Sequence, residues 1–203
     1  QVAVEGVAIG HAAAVFVDQL ADRERLHGHG VVGLAGREGD GVVLRHRGGG
    51  EDGISWFNNT GVRDFFDDKH VNVVMPVGGK FSMYTDWNAD DPVLGRNKWQ
   101  TYLTKELPAA VNARYNTTGV NALGGVSMAG GPVLDLAIQS PGTYRAVGSY
   151  SGCPRAGDPL GQAAVRSMVE ILGGGNAANM WGPWGSPQWA AHDPLINAEK
   201  LRG

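Results

Sequence analysis

The sequence predicts an α/β fold in which a mostly parallel sheet is flanked by helices. Apolar runs of strand length alternate with longer stretches whose apolar residues recur at helical spacing. Between one such run and the next helix lies Ser127, which has small residues on both sides. Strands that alternate with helices pair in parallel, and functional groups then collect at the carboxyl ends of the strands. Ser127 is therefore the first candidate for a functional residue.

Residues 71–76 (VNVVMP) and 98–115 give the first strand and the first helix predicted after position 50. The run 71–76 is largely apolar and is stopped by Pro76 and the glycine pair behind it. Residues 98–115 have helical spacing, and the step Leu107–Pro108 is expected to kink or restart that helix. One side of the helix is apolar and carries Trp99, Tyr102, Leu103, Leu107 and Val111.

Two further strands, each followed by a helix, complete the predicted alternation. Residues 119–123 form the strand that leads into the serine, and the apolar stretch 132–138 behind it forms a helix. Residues 144–151 are predicted as the next strand. Residues 163–172 are predicted as a helix that ends at the glycines 173–175.

The octapeptide 124–131 (GGVSMAGG) has the form of a nucleophile elbow, in which a strand, a turn carrying the serine and a helix follow one another. The turn is strained, so only small side chains fit two positions before and two after the serine, where Gly125 and Ala129 stand. The following helix directs its N-terminal N–H groups at the place where an oxyanion develops during acyl transfer. An ordinary glycine-rich turn with an uninvolved serine is the alternative that the pattern leaves open.

Composition and charge argue against several classes of protein. A formal net charge of -3 gives no reason to expect nucleic acid or an anionic membrane surface as a partner. Cys153 is the only cysteine, which excludes an intrachain disulfide and a site built from several cysteines; we expect it to be partly buried. No apolar run reaches the length of a membrane-spanning helix, and the first residues lack the basic region of a signal peptide.

Acidic residues are scattered over the predicted loops at Asp64, Asp67, Asp68, Asp90 and Asp91. A calcium-binding loop would need carboxylates at fixed, short spacing, and these positions do not have it. We therefore predict no metal and no cofactor.

Residues 1–50 differ from the rest of the chain in composition. They contain no Ser, Thr, Asn, Pro, Lys, Tyr, Trp, Met or Cys, and all of these types appear from Glu51 onward. Domains seldom lack turn-forming residues over such a length. One interpretation is a low-complexity arm, although the run 12–17 is too apolar for ordinary disorder. The other is the hypothesis that this stretch is read from GC-rich coding DNA in a shifted frame, which resequencing of the DNA would test.

Short motifs in a fixed order cover about residues 51–203. They are VMPVGG at 74–79, YTDW at 84–87, KW and LTKELP within 98–108, GVSMAG at 125–130, NMWGP at 179–183 and HDP at 192–194. In order and spacing these motifs resemble the mycolyltransferases of the antigen 85 group, in the α/β-hydrolase superfamily. The resemblance implies a single domain over residues 1–203 with an α/β-hydrolase-type sheet, incomplete at its C-terminus.

The same resemblance implies an activity, partners and a location. It indicates an acyltransferase of the diacylglycerol acyltransferase/mycolyltransferase type, secreted or held in the envelope of mycolic-acid bacteria. Such enzymes move a mycoloyl group from one trehalose monomycolate to another, or onto arabinogalactan. The implied partners are trehalose mycolates or related glycolipids, and an extracellular matrix protein is a further candidate.

Carried over to this chain, the resemblance assigns roles to four residues. Ser127 would be the nucleophile and form an acyl-enzyme that a sugar hydroxyl resolves. Met128, the residue after the nucleophile, would donate one oxyanion-hole N–H from its backbone. Asn59 matches a trehalose-contacting position, although a turn or capping role is favoured by the residues alone. Trp181 matches a signature position and is expected to pack near the substrate site.

The chain departs from the family at the motif LDGLR, which in the family precedes the tryptophan that matches Trp56. Ungapped alignment places residues 44–48 (LRHRG) there, so the sugar-contacting Asp and Arg of the motif are not matched. The second oxyanion N–H could still come from the backbone of Arg47. The mismatch falls within residues 1–50, as the frame-shift hypothesis predicts.

A second departure concerns the general base, which a serine nucleophile needs together with an orienting carboxylate. His192 is the only histidine after Ser127, and it matches a family position that is not catalytic. His70 lies in a charged run and is interpreted as part of a solvated face. The catalytic Glu and His of the family are expected beyond Gly203. The 203 residues alone are therefore predicted to be inactive or nearly so.

Two other functions remain open at this point. A carboxylesterase of the same superfamily would use water where the transferase uses trehalose. The elbow does not distinguish these two enzymes, because the choice of acceptor depends on sugar contacts and on exclusion of water. A non-catalytic paralogue would keep the fold and bind carbohydrate or a matrix protein. Retention of Ser127 within a full GVSMAG sequence disfavours that paralogue.

Overall fold

Strands and helices alternate through the part of the protein that the computed structural model describes, namely residues 15–17, 31–35, 61, 65, 72–76, 78–115 and 117–202. The strands there are β1 (Val15–Val17), β2 (Val31–Ala35), β3 (Asn72–Pro76), β4 (Asn121–Val126) and β5 (Ala146–Tyr150). The helices are α1 (Trp99–Thr101), α2 (Leu107–Tyr115), α3 (Gly130–Gln139), α4 (Pro159–Arg166), α5 (Ala177–Trp181) and α6 (Pro187–Ala191). Two π-helical turns (Tyr102–Glu106 and Ser167–Leu172) and two 3₁₀ turns (Ser127–Ala129 and Ala198–Leu201) adjoin them.

The strands form one sheet in the order β1-β3-β2-β4-β5. β1 is antiparallel to β3, and the other neighbours are parallel, so the predicted mostly parallel sheet is confirmed. The register pairs Ala122 with Ala146 and Val126 with Tyr150. β4 and β5 therefore end at the same level, and Ser127 follows β4 at the carboxyl edge of the sheet.

Two strands of this sheet come from residues 1–50. β2 lies in the middle of the sheet between β3 and β4, and β1 pairs with β3 at one edge. At these positions the segment is part of the sheet, which contradicts the interpretation of the whole stretch as an arm. The rest of residues 1–50 lies outside the described part, and the frame-shift hypothesis stays a prediction.

The helix predicted over 163–172 begins earlier, at Pro159. The side chain of Asp158 accepts hydrogen bonds from the N–H groups of Leu160 and Gly161, each at 2.9 Å. An aspartate at the N-cap followed by proline at the first helical position is a strong helix start. The apolar spacing of the sequence does not reveal this helix start, because the start depends on the capping residue and not on the buried face of the helix.

The kink predicted at Leu107–Pro108 is present as a π-helical turn, Tyr102–Glu106, directly before this step. Proline has no N–H, so the carbonyl of Thr104 has no α-helical donor at this point. The N–H of Leu107 donates instead to the carbonyl of Tyr102, five residues earlier. The apolar side of the helix is buried as predicted, at Trp99, Tyr102, Leu103, Leu107 and Val111.

Aromatic residues, several of them from the recognised motifs, form much of the core. Trp87 and Trp189 are 1% and 0% exposed. The ring of Trp99 meets Tyr84 and Tyr102 edge to face, with centroids 5.6 and 5.5 Å apart. Such contacts add to the free energy gained by burying the rings. The tryptophans of the motifs at 84–87 and 98–108 are therefore explained by packing.

Asp91 is a buried carboxylate that ties the loop before α1 to the beginning of α5. Its Oδ1 accepts from the N–H groups of Val93 and Leu94, each at 2.9 Å. Its Oδ2 accepts from the N–H of Asn176 at 2.9 Å and from the side-chain amide of Asn179 at 3.0 Å. Burial raises the pKa of the Asp91 carboxyl, but the accepted hydrogen bonds outweigh burial and hold the pKa below its ordinary value of 3.8.

Asp91→Asn is expected to lower the free energy of unfolding by about 2–4 kcal/mol near pH 7, because an amide NH₂ replaces one of the two accepting oxygens. A carboxyl with a depressed folded pKa contributes stability above its unfolded pKa and loses that contribution as the pH falls through the folded pKa. The difference between wild type and variant should therefore shrink as the pH is lowered below about 4. Urea unfolding at several pH values measures it. The exposed neighbour Asp90 is the control, since Asp90→Asn should change stability by less than about 0.5 kcal/mol; equal losses in both variants would contradict the assignment.

Candidate active site

Ser127 lies at the tip of a sharp turn between β4 and α3. The strand ends at Val126, and the 3₁₀ turn that begins with the serine leads directly into the helix. Ser127 has a φ of 57°, in the left-handed region that is unfavourable for a residue with a Cβ. The predicted succession of strand, sharp turn and helix around Ser127 is confirmed.

This tight turn requires a glycine at position 125. A Cβ at this position would lie 2.5 Å from the carbonyl oxygen of Ala129 and 2.7 Å from Cγ1 of Val133. The first of these atoms is backbone, so it cannot move without displacing the turn. The expectation that only a small residue fits two positions before the serine is therefore confirmed.

Gly125→Ala is expected to lower the free energy of unfolding by about 1–3 kcal/mol, because the added methyl overlaps the elbow. It should also displace Ser127 and strongly reduce its labelling by a serine-directed fluorophosphonate. Thermal unfolding and labelling rates measure the two effects. Gly142→Ala is the matched control: its φ is 83°, but no atom lies within 4 Å of the added methyl. It should cost about 1–2 kcal/mol from backbone strain and leave the labelling of folded protein unchanged; equal losses of labelling would show that the elbow is not the cause.

Met128 is the second residue of the 3₁₀ turn, immediately after the serine. The first N–H groups of a helix have no acceptor within it, which leaves the backbone N–H of Met128 without an intrahelical partner. Its side chain is 6% exposed and belongs to the core. Among the described residues, the Oγ of Ser127 has no hydrogen-bond partner, and the hydroxyl is half-buried. The turn therefore places a serine hydroxyl and a backbone N–H on adjacent residues.

The loop after β5 packs directly on the first turn of α3. A Cβ on Gly130 would lie 2.6 Å from the Cα of Gly152, so the two glycines allow backbone to meet backbone. A Cβ on Gly131 would collide with the carbonyl oxygen of Cys153. These contacts fix the start of the elbow helix against the end of the neighbouring strand.

His192 is held by structural partners. Its Nδ1 lies 2.8 Å from Oδ2 of Asp135 on α3. Its ring stacks on Trp181, with centroids 4.8 Å apart and planes 6° apart. Trp181 in turn donates from Nε1 to Oγ1 of Thr85 at 3.2 Å. His192 therefore joins the elbow helix to the end of α6.

A small cavity lies beside the elbow helix, with a volume of about 20 Å³, roughly the room for one water molecule. Its lining includes Asp135, Trp181 and His192 but not Ser127. Cys153 also lines it and is exposed, so the expectation of partial burial was wrong. The reason is that the carbonyl of Cys153, and not its side chain, lies against α3.

The structure brings together Ser127 and Met128 of the expected site residues. Trp181 lies in the core at 3% exposure, in contact with His192. Arg47 and Asn59 lie outside the described residues. Of the histidines, only His192 falls within the described part of the chain.

Two features of this region were not predicted from the sequence. Asp135 is a charged residue inside an apolar helix, and its side chain is 8% exposed; a carboxylate in that position needs a partner, which was an available signal. Ser151, after β5, has a φ of 53° and no sequence signal of its own. Both depend on which elements become neighbours in space.

Within the described residues, no helix has the length and apolar character needed to cross a membrane. Across the same residues, no group of three or more His, Cys, Asp or Glu side chains is arranged to hold a metal ion.

Comparison with known proteins shows the family to which the chain belongs. The family model described as "Putative esterase" matches residues 50–203, so its match begins where the composition of the chain changes. The diacylglycerol acyltransferase/mycolyltransferase Ag85A of Mycobacterium tuberculosis (strain ATCC 25618 / H37Rv) is 37% identical over 158 residues, which cover 74% of this chain and 46% of the relative. The corresponding Ag85B of Mycobacterium leprae is 35% identical, covering 74% and 47%. The chain thus spans about half the length of the curated relatives it matches.

Solved structures with the same architecture include Mycobacterium tuberculosis MPT51 (FbpC1). It matches with a TM-score of 0.73 and 26% identity, over 93% of this chain and 63% of that one. The Staphylococcus aureus fluorophosphonate-binding serine hydrolase FphF matches with a TM-score of 0.62 and 16% identity, over 93% of this chain and 66% of its own. The fold is therefore the α/β-hydrolase fold, as the sequence predicts.

Proposed function

Because the chain belongs to this esterase family and is of the antigen 85 type, we propose that it is a serine acyltransferase. The observation that carries the proposal is Ser127 at the tip of a nucleophile elbow, with a φ of 57° between β4 and α3. The curated relatives at 37% and 35% identity are named as acyltransferases. The transferred group is a mycoloyl or other long acyl chain. The donor is a trehalose ester, and the acceptor is a second trehalose ester or cell-wall arabinogalactan.

In the first half-reaction, Oγ of Ser127 attacks the ester carbonyl carbon of the donor. The carbonyl oxygen becomes an oxyanion, which the backbone N–H of Met128 stabilises by a hydrogen bond. The bond from the carbonyl carbon to the trehalose oxygen then breaks, and the serine proton passes through the general base to that oxygen. The products are free sugar and an ester on Ser127.

In the second half-reaction, a hydroxyl of the acceptor attacks the same carbonyl carbon. The bond to Oγ of Ser127 breaks, and the acceptor proton returns through the base to that oxygen. The N–H of Met128 serves again, because the same oxyanion forms. The net result is movement of one acyl chain from one sugar oxygen to another.

The remaining parts of the machinery are assigned by resemblance. By resemblance, we propose that the general base and its carboxylate lie in sequence that follows Gly203, because His192 matches a family position that is not catalytic. The backbone of Arg47 is the proposed second oxyanion donor, and Asn59 the proposed sugar contact. Trp181 is proposed to support the site by packing, which agrees with its burial.

The same proposal includes a location and partners. We expect the protein to act outside the cytoplasmic membrane, secreted or in the cell envelope, where trehalose mycolates are found. An extracellular matrix protein is a further partner to be tested. A carboxylesterase is the second candidate function, and the description of the matching family as an esterase favours it.

Labelling with a fluorophosphonate and turnover of trehalose monomycolate test these assignments. Both are applied to the 203-residue chain and to the protein translated from the complete coding region. We expect labelling at Ser127 and formation of trehalose dimycolate in the complete protein, with far weaker turnover by the 203 residues alone. Release of free acid without a new trehalose ester would favour the carboxylesterase. Failure of labelling in both proteins would contradict the acyltransferase and favour a binding paralogue.

A further inference from the structure

Ser151 follows β5 in the same way that Ser127 follows β4. The register pairs Val126 with Tyr150, so the two serines succeed the last paired positions of neighbouring parallel strands. Such strands lie about 5 Å apart, which places the two residues side by side at the carboxyl edge of the sheet. Both serines have left-handed backbones, with φ of 57° and 53°. The position beside the nucleophile is thus occupied by a second strained serine.

The packing of the loop explains the turn at Ser151 but not its hydroxyl. Gly152 lies against Gly130, which requires the chain to bend sharply after β5. A glycine at position 151 would adopt the same φ at lower cost than serine. Ser151 is exposed, and its Oγ has no hydrogen-bond partner among the described residues. The hydroxyl therefore does not stabilise the described fold, and strained residues with free polar groups occur at functional sites.

We propose that Oγ of Ser151 binds the acyl acceptor and selects a polyhydroxylated acceptor over water. This inference rests on the acyltransferase function proposed above. When one sugar hydroxyl attacks the ester on Ser127, a neighbouring hydroxyl of the same sugar lies within reach of Ser151. A serine hydroxyl can both donate to it and accept from it, so either orientation of the sugar hydroxyl is satisfied. Water has no second hydroxyl to bind there, so the contact favours transfer over hydrolysis.

The test uses the protein translated from the complete coding region, with p-nitrophenyl butyrate as donor and trehalose as acceptor. Two products are quantified by mass spectrometry, the trehalose ester and free butyrate, and the burst of p-nitrophenol reports acylation of Ser127. In Ser151→Ala the ratio of ester to free acid should fall roughly fivefold, the factor expected for one neutral hydrogen bond. The burst should be unchanged, because water and sugar compete only after acylation.

Ser151→Gly separates the hydroxyl from the backbone, because glycine also relieves the strain at φ 53°. We expect Ser151→Gly to melt at a higher temperature than Ser151→Ala, while both lose the same fraction of transfer. Ser167→Ala is the control. The hydroxyl of Ser167 donates to the carbonyl of Ala163, one turn earlier in α4. The ratio of ester to free acid in this variant should equal that of wild type. An unchanged ratio in both Ser151 variants, with a normal burst, would overturn the inference alone. A protein that releases no p-nitrophenol and is not labelled at Ser127 by the fluorophosphonate would overturn the proposed function and the inference together.

Discussion

Ser127→Ala is expected to abolish acyl-enzyme formation and to lower turnover of the complete protein by roughly 10⁴-fold or more. The reason is that alanine leaves the proposed oxyanion donor, the backbone N–H of Met128, in place but removes the oxygen proposed to form the covalent bond. The fold should be almost unaffected, because among the described residues the serine hydroxyl has no partner. Intact-mass analysis after reaction with a fluorophosphonate measures the adduct directly. Persistent turnover in the variant would remove Ser127 from its assigned role.

Ser127→Gly provides a sharper control than alanine. The φ of 57° is unfavourable for serine and alanine and is freely adopted by glycine. We therefore expect Ser127→Gly to be inactive and yet more stable than wild type, by about 1 kcal/mol. Such an opposition of stability and activity is expected where a backbone is strained for function. A glycine variant that is less stable than wild type would mean that the turn depends on the hydroxyl.

The elbow could be predicted from sequence because its requirements are local. A strand, a turn with small flanking residues and a helix follow one another within about 20 residues, and each leaves its own signal in composition. Gly125 is an instance: the collision that a Cβ would make is with Ala129, four residues away. The buried side of the helix over 98–115 was likewise visible, because helical periodicity depends only on neighbouring turns.

Other features could not be predicted, because they depend on elements that are distant in sequence. The partner of Asp135 is His192, and the exposure of Cys153 follows from how its loop meets α3. Ser151 lies beside Ser127 only because β4 and β5 pair with each other. Neither apolar spacing nor motif matching contains this information, since both describe one segment at a time.

The contact of Asp135 with His192 leads to the second large effect, on stability. Asp135→Ala is expected to lower the free energy of unfolding by about 3–5 kcal/mol, since it breaks a largely buried polar pair and leaves Nδ1 of His192 without its acceptor. The carboxylate also accepts from the side-chain amide of Gln139 at 3.0 Å, which then keeps only its hydrogen bond to the carbonyl of Ala191. His192→Ala should cost a similar amount, because it removes both the hydrogen bond and the stack on Trp181. Urea unfolding measures both variants.

A double-mutant cycle isolates the pair from the packing around it. If Asp135 and His192 act on each other, the double alanine variant should be more stable than the sum of the single losses predicts, by about 1–3 kcal/mol. Asp135→Asn is the matched conservative change: its amide oxygen can still accept from Nδ1, so it should cost about 1 kcal/mol. Because α3 begins at the elbow, the fluorophosphonate should also label Ser127 more slowly in the single variants. The slowing should increase with the loss in free energy of unfolding. Additive losses with unaltered labelling would mean that the pair neither couples α3 to α6 nor supports the nucleophile.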